Sequence, residues 1–347
     1  MAHYLNTLLE EANADARLPA VAAAGACSSG VLAAGAIGVT VLDGGVPVHA
    51  GSRFHIGSIT KSITATAIAT LVEDGVLTWT TRPTDVFPEL APAIHPALRE
   101  VELQHLLSHR AGIAPYDEDE EIDALPLFAG SPAEQRAAFT AHLLRQEPAA
   151  TPLADHLYSN AGYAIAGAMA ERATGVAWDE MVRRRVFEPL HLDSAGFGWP
   201  AAVHEGEPWG HRRRGAATVP HSPTDEYRVT PLIAPAGDVH MSMLDLVEYA
   251  RTHLRGLRGE NTIVQAATMK KLHTPFGTYS LGWNEGEQAS QHSGSAGTFC
   301  AFVVLFPGDD RCYVVATNAC EESDNENESA HIAVISSVLR GLRASHI

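Results

Sequence analysis

The stretch Phe54-His-Ile-Gly-Ser-Ile-Thr-Lys-Ser-Ile-Thr-Ala-Thr-Ala-Ile-Ala-Thr-Leu-Val-Glu-Asp-Gly75 decides the fold. After Lys61 its residues are mostly small or apolar, among them Ala65, Ala67, Ile68, Ala69, Leu71 and Val72. The pattern reads as a helix from about Ser58 to Asp74, and Gly75 stops it because a residue without a Cβ closes the last turn most easily. A helix with no strongly polar face is expected inside the protein rather than on its surface. The rest of the chain must therefore supply cover on all sides.

Working outward, residues 4 to 12 read as a short surface helix. From Gly35 to Gly51 the pattern suggests a hairpin, with Ile37-Gly-Val-Thr-Val-Leu42 and Val46-Pro-Val48 joined at Asp43-Gly44-Gly45. Residues 77 to about 190 hold few strand signals and several helix patterns. Ser131-Pro-Ala-Glu134 has the form of a capping box, Asn160 to Ala173 is rich in Ala and Gly, and Trp178 to Phe187 runs up to Glu188-Pro189. The acidic run Asp117 to Asp123 reads as a solvated loop. Residues 196 to 240 are rich in Gly, Pro and His, as long loops with short strands would be. Ser242 to Leu257 reads as a helix.

The tail alternates in three strand-like runs, Thr278 to Trp283, Thr298 to Phe306 and Arg311 to Ala316, with turns at Asn284-Glu-Gly286 and Pro307-Gly-Asp-Asp310. A final helix from about Ser329 to Arg343 follows the polar segment Glu321 to Glu328. The order of strands, helix, helical block, strands and helix predicts an α+β fold. A central antiparallel sheet, completed from both chain ends, is flanked by helices and carries an all-helical insertion. The expected division is a sheet domain of 1–76 plus 191–347 and a mostly helical domain of 77–190.

Composition narrows the partners. The chain has 347 residues, 41 acidic against 24 basic, and a formal charge of -17. That balance argues against nucleic acid and anionic membrane surfaces, both of which need positive charge. No apolar run is long enough to span a bilayer. Cys27, Cys300, Cys312 and Cys320 form no CxxC pair, so buried reduced thiols are expected rather than a zinc knuckle or a redox motif. Residues 1 to 20 carry Glu10, Glu11 and Asp15 without a basic leader segment, which points to a cytoplasmic protein or to one whose leader has been removed. The sequence bears no sign of oligomeric state. There are 21 arginines and only three lysines, Lys61, Lys270 and Lys271. A buried lysine can give up its proton and act as a base, whereas arginine does not, so lysine at 61 suggests that a neutral amine is needed there.

Three short patterns carry chemistry. In Ser58-Ile59-Thr60-Lys61 the serine and the lysine lie one helical turn apart on one face, with the helix N-terminus favouring a developing negative charge. The plain alternative for Ser58 is a helix cap. In Tyr158-Ser159-Asn160 a phenol and an amide two residues apart precede a helix; the phenol relays protons if cationic neighbours lower its pKa, and capping is the rival role for Asn160. In His292-Ser293-Gly294 the glycine would let a substrate approach a strand edge. Tyr4-Leu-Asn6, His49-Ala-Gly51 and His204-Glu-Gly206 repeat these patterns and are set aside as decoys. His105 and His109 are spaced i, i+4, but Leu106 stands where a metalloprotease has glutamate, so no metal site is expected, and His109 is read as holding the following turn. Trp209, Trp283 and Phe54 read as packing.

Together, in this order, the motifs resemble the serine β-lactamase and penicillin-binding-protein superfamily. The similar branch includes D,D-peptidases, D-aminopeptidases, class C β-lactamases and β-lactamase-like esterases. The resemblance spans nearly the whole chain through Phe54 to Lys61, Leu106-Leu-Ser-His109, Tyr158-Ser-Asn-Ala-Gly-Tyr163, Pro235-Ala-Gly237 and His292-Ser-Gly294. It implies a sheet beside a helical region with the site at their junction. It implies Ser58 as the acylated nucleophile, Lys61 as its base partner and Tyr158 as the proton shuttle. Asn160, His292, Ser293 and Gly294 would contact substrate, and the backbone N–H groups of Ser58 and Ser295 would form the oxyanion hole. His292 stands where many relatives have lysine, which weakens the expectation of strong β-lactamase activity. Arg110, after His109, has no reading.

The expected function is a serine hydrolase that needs no metal or cofactor and acts on a small ester or amide, foremost a carboxylesterase. A D-amino-acid-specific peptidase or amidase, or a weak β-lactamase, is the alternative within the class. A non-catalytic penicillin-binding-like sensor or binding module is the alternative outside it.

Overall fold

The computed structural model describes residues 2–117, 119–214, 217–225, 230–321 and 329–345. Six strands form its main sheet: β1 (Ala20–Cys27), β2 (Gly30–Gly38), β3 (Asn284–Gly286), β4 (Ala289–Ser295), β5 (Cys300–Phe306) and β6 (Arg311–Thr317), in the order β2-β1-β6-β5-β4-β3. Every neighbouring pair is antiparallel. Both chain ends therefore build one sheet, as the sequence predicted.

The sheet is covered on both faces. The alanines of β1 alternate between two cores. Ala20, Ala22, Ala24 and Ala26 join the larger one, while Val21 and Ala23 face the smaller. Terminal helices cover that second face: α1 (Ala2–Asn13) supplies Leu5 and Leu9, one turn apart, and α6 (Ala330–Ala344) supplies Val334, Val338 and Leu342. On the first face lie α2 (Thr60–Glu73) and α5 (Met243–Leu257, capped by Ser242).

α2 is buried at every position from Thr60 to Ala69. Its hydroxyls are satisfied by neighbouring groups, as buried polar atoms must be. Thr60 accepts the Val239 amide at 3.0 Å, Thr64 donates to the Pro235 carbonyl at 2.7 Å and accepts the Trp178 indole at 3.0 Å. These bonds fix the rotation of α2, which apolar packing alone would leave less determined. Gly75 ends it with a φ of 74°, and Val76 donates back to Leu71.

The helical elements run from Pro83 to Phe187, including α3 (Pro132–Leu143) and α4 (Asn160–Thr174). The Ser131 capping box is formed, with Ser131 and Glu134 bonding reciprocally. Arg136 of α3 and Glu171 of α4 make a buried ion pair, 2% and 7% exposed, and Glu171 also accepts the Trp178 amide.

Four expectations are corrected. The first hairpin of the main sheet turns at Ser28-Ser29, where none was expected; the chain does reverse at Asp43-Gly44-Gly45, with Thr40 donating to Val46, Gly45 to Val41 and Val48 to Gly38, but this reversal carries only a single bridge, Val39 to Pro47, and lies outside that sheet. Alanine has little strand propensity, which hid β1, although the strand is buried along its whole length. Residues 278–283 are not a strand. Gly282, at φ 89°, lies so close to α2 that a Cβ would sit 2.8 Å from the Ser62 Cα, and this turn breaks the alternation. The strand comes later, as β4 with β3. Asp119–Asp123 is a short helix rather than a loop throughout. Finally, Cys300 and Cys320 form a disulfide, while Cys27 and Cys312 are free. The two bonded cysteines come from strands brought together only by the tertiary fold. Most of the polar segment Glu321 to Glu328, residues 322–328, lies outside the described residues.

Arg136→Ala leaves Glu171 buried without its partner, and the expected loss is about 3–5 kcal/mol of stability. Denaturant unfolding checks this; a loss below about 1 kcal/mol would show that Glu171 is solvated.

Candidate active site

Ser58 sits in a one-turn 3-10 segment, Gly57–Ile59, that leads into α2. Neither helical segment uses its side chain as a cap. The hydroxyl instead lies 3.0 Å from the amine of Lys61.

Lys61 is fully buried, and its amine has three partners: Ser58 Oγ, Asn160 Oδ1 at 2.7 Å and the Ala236 carbonyl at 2.9 Å. Burial holds its pKa well below the ordinary lysine value, against the opposing pull of Asp117. Burial therefore favours the neutral form, which the contacts accommodate. The two carbonyl oxygens only accept, so they take both N–H bonds of an uncharged amine, and its lone pair is left facing the Ser58 hydroxyl. Asn160 is held in the required orientation because its Nδ2 donates to the Tyr116 carbonyl at 3.1 Å.

The rivalry over Asn160 resolves in the local structure. Ser159 is the cap of α4, accepting the Gly162 amide at 2.9 Å and donating to the Ala114 carbonyl. That leaves the Asn160 side chain to Lys61.

Tyr158 lies with its ring 4.6 Å from the Lys61 amine. Burial pushes its pKa up, outweighing the opposite effect of the Ser58 side chain. The expectation that cations lower it is therefore reversed, and the phenol keeps its proton. His109 packs 4.3 Å from its ring and, with a φ of 59°, holds the turn: its carbonyl accepts the Leu157 amide and its Nδ1 accepts the Ser159 amide.

On β4, His292 and Gly294 face inward, and Ser293 and Ser295 face outward. His292 is buried, with Nδ1 against the Ser293 carbonyl at 2.6 Å and Nε2 against the Tyr279 hydroxyl at 2.8 Å. Only one assignment serves both contacts: Nδ1 donates and Nε2 accepts. Burial pushes its pKa down to about 3, so it is neutral. It is placed as a paired ring behind the cleft rather than as a cation within it. Gly294 and Gly57 let β4 and the Ser58 turn meet. A Cβ on Gly294 would sit 1.9 Å from the Ile56 carbonyl and 2.9 Å from the Ser58 amide, and one on Gly57 would sit 2.5 Å from the Ser295 amide. The Ser58 and Ser295 amides thus belong to a single backbone contact.

Several groups escaped the sequence. Ala236 contributes a backbone carbonyl that no motif marks. Tyr279 lay in a mistaken strand. Arg110 now has a place: it donates to the carbonyls of Leu153, Ala154 and Phe276, tying the segment before Tyr158 to the segment before Tyr279. Asp117 acts electrostatically on both Lys61 and Tyr158. The decoy Tyr4 and Asn6 lie on α1, and His49 and His204 lie outside this cluster.

A serine–lysine–tyrosine cluster, with the lysine buried and the two hydroxyl-bearing residues partly exposed, where a helix mouth meets an antiparallel sheet, places the chain among penicillin-binding-protein-like folds. It belongs to the beta-lactamase family, whose model matches residues 5–336. Penicillin-binding protein 4 of Amycolatopsis lactamdurans is 30% identical over 79% of this chain and 74% of its own length. A beta-lactamase of Escherichia coli (strain K12) is 24% identical over 68% of this chain, which spans 58% of that relative's length. The octameric penicillin-binding protein homologue from Pyrococcus abyssi shares the fold with a TM-score of 0.76 at 24% identity, over 97% of this chain and 77% of that one. Among the described residues no helix is long and apolar enough to cross a membrane.

Six histidines whose pKa values are strongly lowered set an acid limit. Burial pushes His55, His253 and His292 down to about 3 and His240 to about 4, and holds His109 and His273 well below their ordinary value. The unfolded chain takes up protons near pH 6.5 that the folded chain refuses. Stability is therefore complete above about pH 6.5 and falls below it, by up to about 1.4 kcal/mol per pH unit for each ring. The melting temperature is expected to drop steeply between about pH 6.5 and 5; a flat profile there would mean that these rings are charged when folded.

Proposed function

We propose that the protein is a serine hydrolase working through an acyl-enzyme on Ser58, with small uncharged esters as its preferred substrates. The observation that carries the reading is the Lys61 amine, buried, held by two carbonyls and facing the Ser58 hydroxyl.

Lys61 takes the Ser58 proton as Oγ bonds to the substrate carbonyl carbon. The Ser58 and Ser295 amides receive the oxyanion, a type of stabilisation in which one donor is typically worth about 3–4 kcal/mol. Collapse breaks the bond to the leaving alkoxide, which takes the Tyr158 proton. Lys61 then returns its extra proton to Tyr158, so both are neutral again. Water attacks the acyl carbon, passes a proton through Tyr158 and Lys61 to Ser58, and releases the acid. Asn160 orients Lys61 and stands next to the substrate carbonyl; Ser293 and Gly294 line the strand edge beside the acyl group.

Esters are favoured over β-lactams because His292 is neutral with both nitrogens engaged, and so supplies no fixed cation for a lactam carboxylate. One observation favours a second reading. Asp117, whose charge reaches Lys61, suits a substrate ammonium, as in a D-amino-acid amide.

A fluorophosphonate probe is expected to label Ser58 alone; folded protein that takes no label up to pH 9 would instead favour a binding module. In a panel of short and long p-nitrophenyl esters, a D-alanyl amide and a chromogenic cephalosporin, short esters are expected to have the highest kcat/KM. A cephalosporin ahead by tenfold or more would rule out the esterase. Lys61→Arg keeps the charge but not the base, and is expected to lose at least about a hundredfold in kcat. Activity within a few-fold of the unsubstituted enzyme would remove Lys61 from that role.

A further inference from the structure

On the sheet face away from Ser58, three soft ligands meet from three different elements. Cys300 opens β5, Cys320 lies on the short strand Ala319–Glu321, and His331 is in the first turn of α6. All three are buried, and both cysteines belong to the smaller core rather than to the core under the active site. Their two sulfurs and one ring nitrogen lie within 4.8 Å of one another. The cysteine Cα atoms are 5.8 Å apart.

The surroundings hold this group in place. The Glu321 carboxylate accepts the Ala330 amide at 2.8 Å, which fixes the strand bearing Cys320 to the helix bearing His331, and the Glu321 amide donates to His331 Nδ1 at 3.3 Å, a bond that is given up when the ring turns its lone pair to a cation. Ser295 Oγ lies 3.4 Å from Cys320 Sγ, and Ser295 pairs with Cys300 in the sheet register. A hydroxyl there can donate to a thiolate, as the outer partners of metal ligands do.

We propose that this cluster is a redox-gated site for one soft divalent cation of the zinc type. As a disulfide the sulfurs have no thiolate to offer. A dithiol reductant cleaves the Cys300–Cys320 bond, giving two thiols here and a cyclic disulfide on the reductant. Entry of the cation then releases the two thiol protons and forms two metal–sulfur bonds and one metal–nitrogen bond.

Donor chemistry selects the ion. Two thiolates and an imidazole suit zinc and disfavour calcium or magnesium, which take oxygen ligands. Zinc–sulfur bonds of about 2.3 Å and zinc–nitrogen bonds of about 2.0–2.1 Å place tetrahedral donors about 3.5–3.8 Å apart. Atoms already within 4.8 Å reach that spacing by side-chain rotation. The ligands are far apart in sequence, which is why a search for CxxC spacing does not find them. Cys27 and Cys312 belong to no comparable three-ligand group among the described residues.

The inference stands independently of the proposed hydrolysis, because its test reads metal rather than turnover. The full-length protein is reduced with a dithiol, desalted without oxygen, mixed with zinc chloride and desalted again. About one zinc per chain is expected on the reduced protein, none on the oxidised protein, and two fewer thiols accessible to a thiol reagent once zinc is bound. His331→Ala is expected to weaken binding, measured against a chromophoric chelator, by at least about tenfold. Cys320→Ser should abolish it, and Cys27→Ser should leave it unchanged. Circular dichroism confirms that each sample is folded. Reduced, folded protein that retains no zinc overturns the proposal, as does equal retention by the oxidised protein or undiminished retention by Cys320→Ser. If a variant does not fold, the comparison of oxidised with reduced unsubstituted protein decides alone.

Discussion

A lysine amine without access to water either finds partners for its charge or gives up its proton. For Lys61 the second holds. Burial favours the neutral amine, and two carbonyl oxygens, from Asn160 and Ala236, orient it. Those oxygens come from different parts of the chain: one opens α4 in the helical half, and the other precedes the strand Val239–Ser242 that pairs with Arg53–His55. The amine therefore acts as a pin between the halves. Anything that moves α4 relative to α2 also turns the lone pair away from Ser58, so the requirement placed on this one group extends to the packing of the whole molecule.

That dependence explains the polar content of α2. A buried helix of alanine and isoleucine alone would pack well and still rotate by small amounts, because apolar contact is not directional. Thr60 and Thr64 bond to Val239, Pro235 and Trp178. Two of those partners flank Ala236, so the helix bearing Lys61 and the backbone receiving its hydrogen bond are joined at more than one point. Arg110 does the same for the aromatic side of the cleft, since its guanidinium links the approaches to Tyr158 and Tyr279.

The legible and the hidden parts of the sequence divide along physical lines. Ser58 with Lys61 was readable because helical geometry turns an i, i+3 spacing into proximity, and Tyr158 with Asn160 because a phenol and an amide stand together in the turn that opens a helix. The sheet built from both ends was readable because β5 and β6 are rich in β-branched and aromatic residues. β1 was not, since eight residues dominated by alanine carry almost no strand signal, although all of them are buried. Tyr279 was hidden because alternation over 278–283 imitates a strand, while the close fit of Gly282 against α2 turns the chain instead. The Ala236 carbonyl was out of reach because every residue has one. The Cys300–Cys320 bond was missed because pairing depends on which strands adjoin, and sequence spacing does not reveal that.

Small residues recur where two backbones must nearly touch, and their placement connects the two faces of the sheet. Gly57 and Gly294 bring the Ser58 turn onto β4, and a Cβ at either position would strike the opposite backbone. One residue further along β4, Ser295 turns its side chain the other way, toward Cys320, while its amide stays at the Ser58 contact. Because side chains in a strand alternate between faces, a residue that offers its amide to one side must send its side chain to a definite place. Here that place is the sulfur of Cys320. The same backbone segment that brings an amide to the Ser58 turn thus meets the Cys300–Cys320 disulfide from behind.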